Sequence, residues 1–217
     1  MAQNNAGYQG TLDASKGFGD YNQTAYIIRQ ILTSTHTATL VMVKAVTNSG
    51  GVTPVGSVDV QPLVNMLDGQ GNAVPHGVVY GLPYFRLQGG ANAVILDPQV
   101  GDMGIAIFAE SDLSGVKSIK GQANPGSGRK FDMADGLYLG GFLNGTPIQY
   151  VQFSASGIVL VSPQNVTIQA PTITLVGQVN QSGGTIAAAQ DISVNGLSVL
   201  NHNHTDPQGG TVGPMQG

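Results

Sequence analysis

Residues 157–180 read GIVLVSPQNVTIQAPTITLVGQVN. After the apolar run Ile158-Val159-Leu160-Val161, apolar residues recur at every second position. Thr, Gln and Asn fill the gaps, as in Val166-Thr167-Ile168 and Ile173-Thr174-Leu175. Period two is the signature of extended chain. Gly157, Pro163, Pro171 and Gly177 punctuate the pattern, so each strand is short, about four to six residues. Such ribbons face an energetic problem. Burying a medium aliphatic side chain contributes roughly 1.5–3 kcal/mol, whereas ordering each residue costs roughly 1–2 kcal/mol of backbone entropy. With half the residues apolar, a solitary ribbon with open edges does not hold itself together. The pattern therefore predicts several copies wound about one axis, apolar rows inward and hydroxyl and amide rows outward. Three chains give a triangular β-prism with every edge paired. A monomeric β-sandwich would use the same strands, but such sandwiches usually carry Lys and Glu outside. Past Gly136 only Asp191 and Asp206 are charged, and Lys and Arg are absent.

The rest of the chain fits around that stem. It has 217 residues, 32 of them Gly, with no Trp and a formal net charge of −4. Charged residues are 9%, against roughly 25% in ordinary soluble domains, which argues against a typical enzyme. The apolar content of 41% argues against disorder, and the net negative charge offers nucleic acid no footprint. The absence of Cys excludes disulfides and thiolate metal sites. No basic-then-apolar leader and no run of 18 apolar residues occurs, so the expectation is a protein kept in the cytoplasm or exported without a signal peptide.

Residues 1–19 are rich in Gly, Asn and Gln and read as a flexible arm. Asp20 is placed to cap a helix from Tyr21 to about Thr33, within a 20–35 segment. Ile27, Ile28, Ile31 and Leu32 share one of its faces, to pack on its own domain or to dock a partner subunit. From Thr37 the pattern becomes β. TATLVMVKAV has Leu40, Met42 and Val46 as inward candidates, and GSVDVQPLV has Val58 and Val60 on one face. GVVYGLPYFRL and ANAVILDPQVGDMGIAIFAESDL complete about five strands, which suggests an OB-like barrel over 36–115. A collar over 116–142 joins it to the stem at 143–200, and 201–217 form the tip.

The tip holds His202-Asn203-His204. Residues i and i+2 of extended chain point the same way, with α-carbons about 6.5 Å apart. Two ligands are too few for a firm site, but a threefold axis makes six. Six imidazoles suit an octahedral first-row ion such as iron(II), with Ni, Co or Mn as substitutes, held structurally at one ion per trimer. Asp206 could orient a ring, although a turn role before Pro207 fits better. His36 and His76 have no sequence partners and read as surface or barrel-edge residues.

Other chemistry is thin. No nucleophile elbow, Walker loop, zinc-protease motif or dinucleotide fingerprint occurs. Gly89-Gly90 and Gly140-Gly141 read as β turns. Glu110, Asp112, Asp132 and Asp135 could supply a glycosidase carboxylate pair, but solvated loop ends and turn-making roles explain them more simply. Lys117, Lys120, Arg129 and Lys130 are the one basic cluster, read as a solvated collar or a contact to neighbouring proteins.

Four segments carry a family resemblance: VDVQPLV (58–64), YGLPYFRLQGG (80–90), DPQVGDMGIAIFAESDL (97–113) and RKFDMADGLYLGGF (129–142). Their order, followed by His202-Asn203-His204 and Gly209-Gly210-Thr211-Val212-Gly213, resembles the central spike, or baseplate assembly protein V, family of contractile-tail phages. The likeness covers most of 36–142 and the tip. It implies an all-β chain with a short N-terminal helix, an OB-like barrel and a homotrimeric β-helical stem. His202 and His204 would be iron ligands on the axis. The implied function is mechanical, with sheath contraction driving the tip through the host outer envelope. The implied location is the distal end of the tail baseplate in the virion, after synthesis in the host cytoplasm. Hub, tube and baseplate proteins would be its partners, the outer membrane would be penetrated and not stably bound, and no nucleic acid or small-molecule substrate would be used. The rival expectations are a receptor-binding or glycan-cleaving tail protein and a single-strand-binding OB protein.

Overall fold

The structure is a computed structural model, and it describes residues 19–48, 51–205 and 207–213. The arm expected over 1–19 lies, except for Gly19, outside the described residues, as does Asp206. The chain divides into two units, Met1–Val159 and Leu160–Gly217.

The first unit begins with α1 (Asp20–Thr33). Gly19 (φ 113), not Asp20, occupies the cap position, and no side chain caps the helix. Asp20 instead lies in the first turn, where its charge opposes the positive end of the helix dipole. At the other end Thr33 Oγ1 donates to the Arg29 carbonyl and Thr35 Oγ1 to that of Ile31, each at 2.7–2.8 Å. The expected stripe is present, but none of α1 is buried; Ile27, Ile28, Ile31 and Leu32 are 50–63% exposed. The helix therefore does not use that face on its own domain.

Nine strands follow: β1 (Ala38–Val46), β2 (Ser57–Pro62), β3 (Met66–Leu67), β4 (Ala73–Val74), β5 (Val79–Pro83), β6 (Leu87–Gly89), β7 (Asn92–Val94), β8 (Met103–Phe108) and β9 (Gly136–Gly141). Five of them form one antiparallel sheet in the order β5-β2-β1-β8-β9; β3-β4 and β6-β7 are two-stranded hairpins. The fifth strand comes from the segment read as collar. Register shifts at Val43/Ala45, Val58/Val60 and Gly104/Ala106 add twist and bend to the sheet. It curls into a half-barrel whose edges touch at a Tyr84–Tyr138 bridge, with the Phe85 amide donating to the Tyr138 carbonyl at 2.7 Å.

The core fills the concave side: Val41, Val43, Val58, Val60, Leu82 and Ala106 are fully buried, with Tyr84, Phe108 and Tyr138 beside them. Val58 and Val60 point inward as their alternation with Ser57, Asp59 and Gln61 required. In β1 the phase is reversed. Val41 and Val43 are buried, whereas Leu40 and Met42 are only half-buried. TATLVMVKAV is apolar on both faces, so its own pattern does not choose one; the pairing of Val41 with Pro62 and Val43 with Val60 does. Gly104 has a steric reason to be glycine: a Cβ there would run into the Tyr138 ring and the Gly140 carbonyl.

Beyond the sheet, β10 (Tyr150–Ser154) and β11 (Gly157–Val161) form a hairpin. Its strands are exposed except at half-buried Val161. In the second unit the chain makes no strand from Ser162 to Ile192. Two small hairpins end it: β12 (Ser193–Val194) with β13 (Leu197–Ser198), and β14 (His204–Thr205) with β15 (Thr211–Val212). Among the described residues no helix is long and apolar enough to cross a membrane.

Candidate functional site: tip, stem surface and collar

The tip is built around an Asn-Gly turn. Asn195 (φ 50) and Gly196 (φ 81) are both left-handed, the pair that a two-residue hairpin of this hand favours. The turn sets Ser193 opposite Ser198 and Val194 opposite Leu197. Three bonds then fold the following chain back: the Val199 amide donates to the Ile192 carbonyl (2.8 Å), the Leu200 amide to Asp191 Oδ1 (3.0 Å) and the Asn201 amide to Ser198 Oγ (2.7 Å). The Ser198 hydroxyl and then the Leu200 amide hold the Asp191 carboxyl below its ordinary range.

His202 and His204 end this segment. The Val199 carbonyl accepts from His202 Nδ1 at 2.8 Å, which puts the proton on that nitrogen. His204 is exposed and pairs with Val212 in the β14-β15 ladder. The rings meet edge to face, with centroids 4.6 Å apart and planes at 81°. They are adjacent, as the i, i+2 spacing requires.

The iron(II) expectation is overturned here. Among the described residues no group of three or more His, Cys, Asp or Glu side chains could hold a metal ion. One chain brings together two imidazoles, fewer than the three side chains such a group requires. That donor set does not fit an octahedral ion, and no role is assigned to one.

The stem surface is the second candidate. From Gly141 to the end no described residue is buried. Ile158, Ile168, Leu175, Val179 and Ile186 are each 66–70% exposed. Exposed aliphatic side chains in this number are the kind of surface that interaction sites use.

The collar corrects two further expectations. Asp112 and Asp135 are not solvated loop ends, being only 6% and 2% exposed. Arg129 is not a free cation: its Nη2 lies 3.2 Å from both Asp112 Oδ2 and Asp135 Oδ1, and its Nε donates to Asp135 Oδ2 at 3.2 Å. Asp132 accepts the Ala134 amide at the start of a 3-10 turn, and Glu110 pairs with Lys130 at 3.0 Å. All four carboxylates thus have local partners. A second buried ion pair, Arg86–Asp97 at 2.6 Å, ties the chain before β6 to that after β7, and the Tyr84 hydroxyl donates to the same carboxylate. Single-sequence reasoning missed both networks.

His36 and His76 also lie closer than the sequence implied. Both line a cleft of about 360 Å³ with Met66, Phe108 and Met133, His36 meeting Phe108 edge to face at 6.2 Å. No protein-family model matches the chain, and no curated protein is significantly similar to it.

Proposed function

We propose that the protein is the homotrimeric central spike of a contractile phage tail or a related injection apparatus, a mechanical part and not an enzyme. One observation carries this reading. The chain beyond Gly141 repeatedly places apolar residues at every second position, as at Val166, Ile168, Ile173 and Leu175, yet none of its described residues is buried within the chain. Isolated two-stranded ribbons are marginal in water, and open edges invite pairing with another chain. Three copies wound together would bury the aliphatic rows and pair the edges, leaving a needle covered by hydroxyl and amide groups. Closed symmetry is the usual form of such self-association.

The other parts fit that use. The half-barrel would close as an OB-like domain facing the tail tube and hub. The exposed stripe of α1 would meet a neighbouring tail protein or the other copies. The stem would pass through the host outer membrane without residing there, from a position at the distal end of the virion's baseplate. The point would owe its order to the Asn195-Gly196 turn and the bonds around Asp191, since chain ends fray unless tied down. No nucleic acid or small-molecule substrate is needed for such work.

The deciding experiment is mass in solution. Light scattering on the purified full chain is expected to give three times the 22.3 kDa protomer. A clean monomer would remove the stem and the function built on it. Labelling of a tagged chain is then expected at the distal end of assembled tails, and label along the tube or at the head would reassign the protein within the particle.

A further inference from the structure

The segment between β8 and β9 includes α2 (Ser114–Ile119) and returns to the sheet through the 3-10 turn Met133–Asp135. We infer that it is a strap whose central buckle is Arg129, which clamps the buried carboxylates of Asp112 and Asp135 and so fixes the return of the chain into β9. The inference rests on the barrel side of the molecule and does not need the trimer.

The geometry is that of a clasp. Asp112 leaves the sheet just after β8, and Asp135 enters it just before β9. Each carboxylate also holds backbone at the strap's start: the Leu113 amide donates to Asp135 Oδ1 at 2.9 Å and the Ser114 amide to Asp112 Oδ1 at 2.8 Å. Ser127 Oγ donates to Asp112 Oδ2 at 2.6 Å, drawing in the far limb, and the Ala109 amide reaches the Asp135 carbonyl at 3.0 Å. Among the described residues Arg129 is the one that forms ion pairs with both acids; its two-point contact with Asp135 is a shape that Lys cannot reproduce. The limbs are packed as well as bonded. A Cβ on Gly126 would collide with Ser114 Oγ, and one on Gly115 would come within 2.8 Å of the Asn124 carbonyl.

The clasp is not a switch in the neutral range. The groups facing Asp112 are the hydroxyls of Ser114 and Ser127, the guanidinium of Arg129 and the ammonium of Lys117; Asp135 and Asp132 face Arg129 in turn. The two hydroxyls, then the Ser114 amide and Arg129, hold the Asp112 carboxyl well below the usual range. A depressed carboxylate contributes stability at every pH above its unfolded value, and loses it only as pH falls through the folded one. The contribution of Asp112 to the strap is therefore complete at neutral pH and is lost only in acid.

The test is amide exchange on the intact full-length protein. Arg129→Met leaves both buried acids without the guanidinium that bonds them, and the Leu113 and Ser114 amides are expected to exchange roughly 10- to 100-fold faster, the loss of one or two charge-assisted hydrogen bonds. Trypsin is expected to cut that variant faster after Lys117 and Lys120, while exchange in β1 and β2 stays as in the parent. Arg129→Lys keeps the charge and guards against a misfolded variant; it is expected to open the strap by an intermediate factor. Parental exchange at Leu113 and Ser114 in both variants would overturn the buckle. Equal acceleration in β1 would overturn it too, by showing that Arg129 supports the whole sheet.

Discussion

The half-barrel and the stem use the same alphabet to different ends. Both alternate aliphatic with polar residues at period two. In the barrel, Val58 and Val60 are fully buried because β1 and β5 flank β2 on both edges. Beyond Gly141, Ile168 and Leu175 are each 68% exposed, and the chain around them forms no strand of its own. The difference is not composition but closure: a five-stranded sheet can curl over its own apolar face, and a single ribbon cannot. Alternation therefore fixes which side chains need cover, and topology fixes whether the same chain supplies it.

The sharpest way to break the comparison is to put charge on each apolar face. In the trimer proposed here, Ile168→Asp with Leu175→Asp would place three like charges in each of two layers. The desolvation penalty is on the order of several kcal/mol per ion, so the mass is expected to fall to that of one chain while the barrel keeps its β signal. An unchanged mass would show those rows facing water in the assembly. The reciprocal change belongs to the barrel. Leu82→Ala removes a fully buried side chain and is expected to destabilise the sheet by about 2–5 kcal/mol in a denaturant melt, leaving the oligomer mass at three chains. Loss of both together would show that the two regions fold as one.

How much was legible follows from the same physics. Val58 and Val60 could be read because polar neighbours leave β2 one apolar face. Leu40 and Met42 were misread because β1 has two. The stripe of α1 was visible at its helical spacing, but a stripe does not name what covers it. Asp112 and Arg129 were read as solvated because Ser and Gly surround them in sequence, the usual company of loops, and Asp135 because it precedes Gly136; only the return of the chain to β9 brings them together. His36 and His76 share a cleft for the same reason, with no local signal to announce it. At the tip, Asn195-Gly196 is a turn signal that the sequence carries and that went unread, whereas the bond from His202 to the Val199 carbonyl is one that no residue pattern reveals.

Smaller tests sharpen the contrast within the tip, where order is local and not shared with a sheet. Gly196→Ala forces a Cβ onto a backbone at φ 81 with no neighbouring atom within 4 Å to clash. The cost is therefore conformational alone, roughly 1–2 kcal/mol, and is expected to appear as faster exchange of the Val199 amide with no change in the barrel.

The smallest expected effect is the acid response of Asp191. Its carboxyl is held below the ordinary range by the Ser198 hydroxyl first and the Leu200 amide next. Because the folded value is depressed, the contribution is complete above the unfolded value of about 3.9 and fades as pH falls through the folded one. Once corrected for intrinsic chemistry, protection of the Leu200 amide is expected to be flat from neutrality down to that point and to drop below it. Asp191→Asn replaces the ionised acceptor with a neutral one that cannot titrate; it is expected to lower protection uniformly and to abolish the acid step. A step that persists in Asp191→Asn would move the holding group elsewhere, and the tip would then be ordered by something other than its own hairpin.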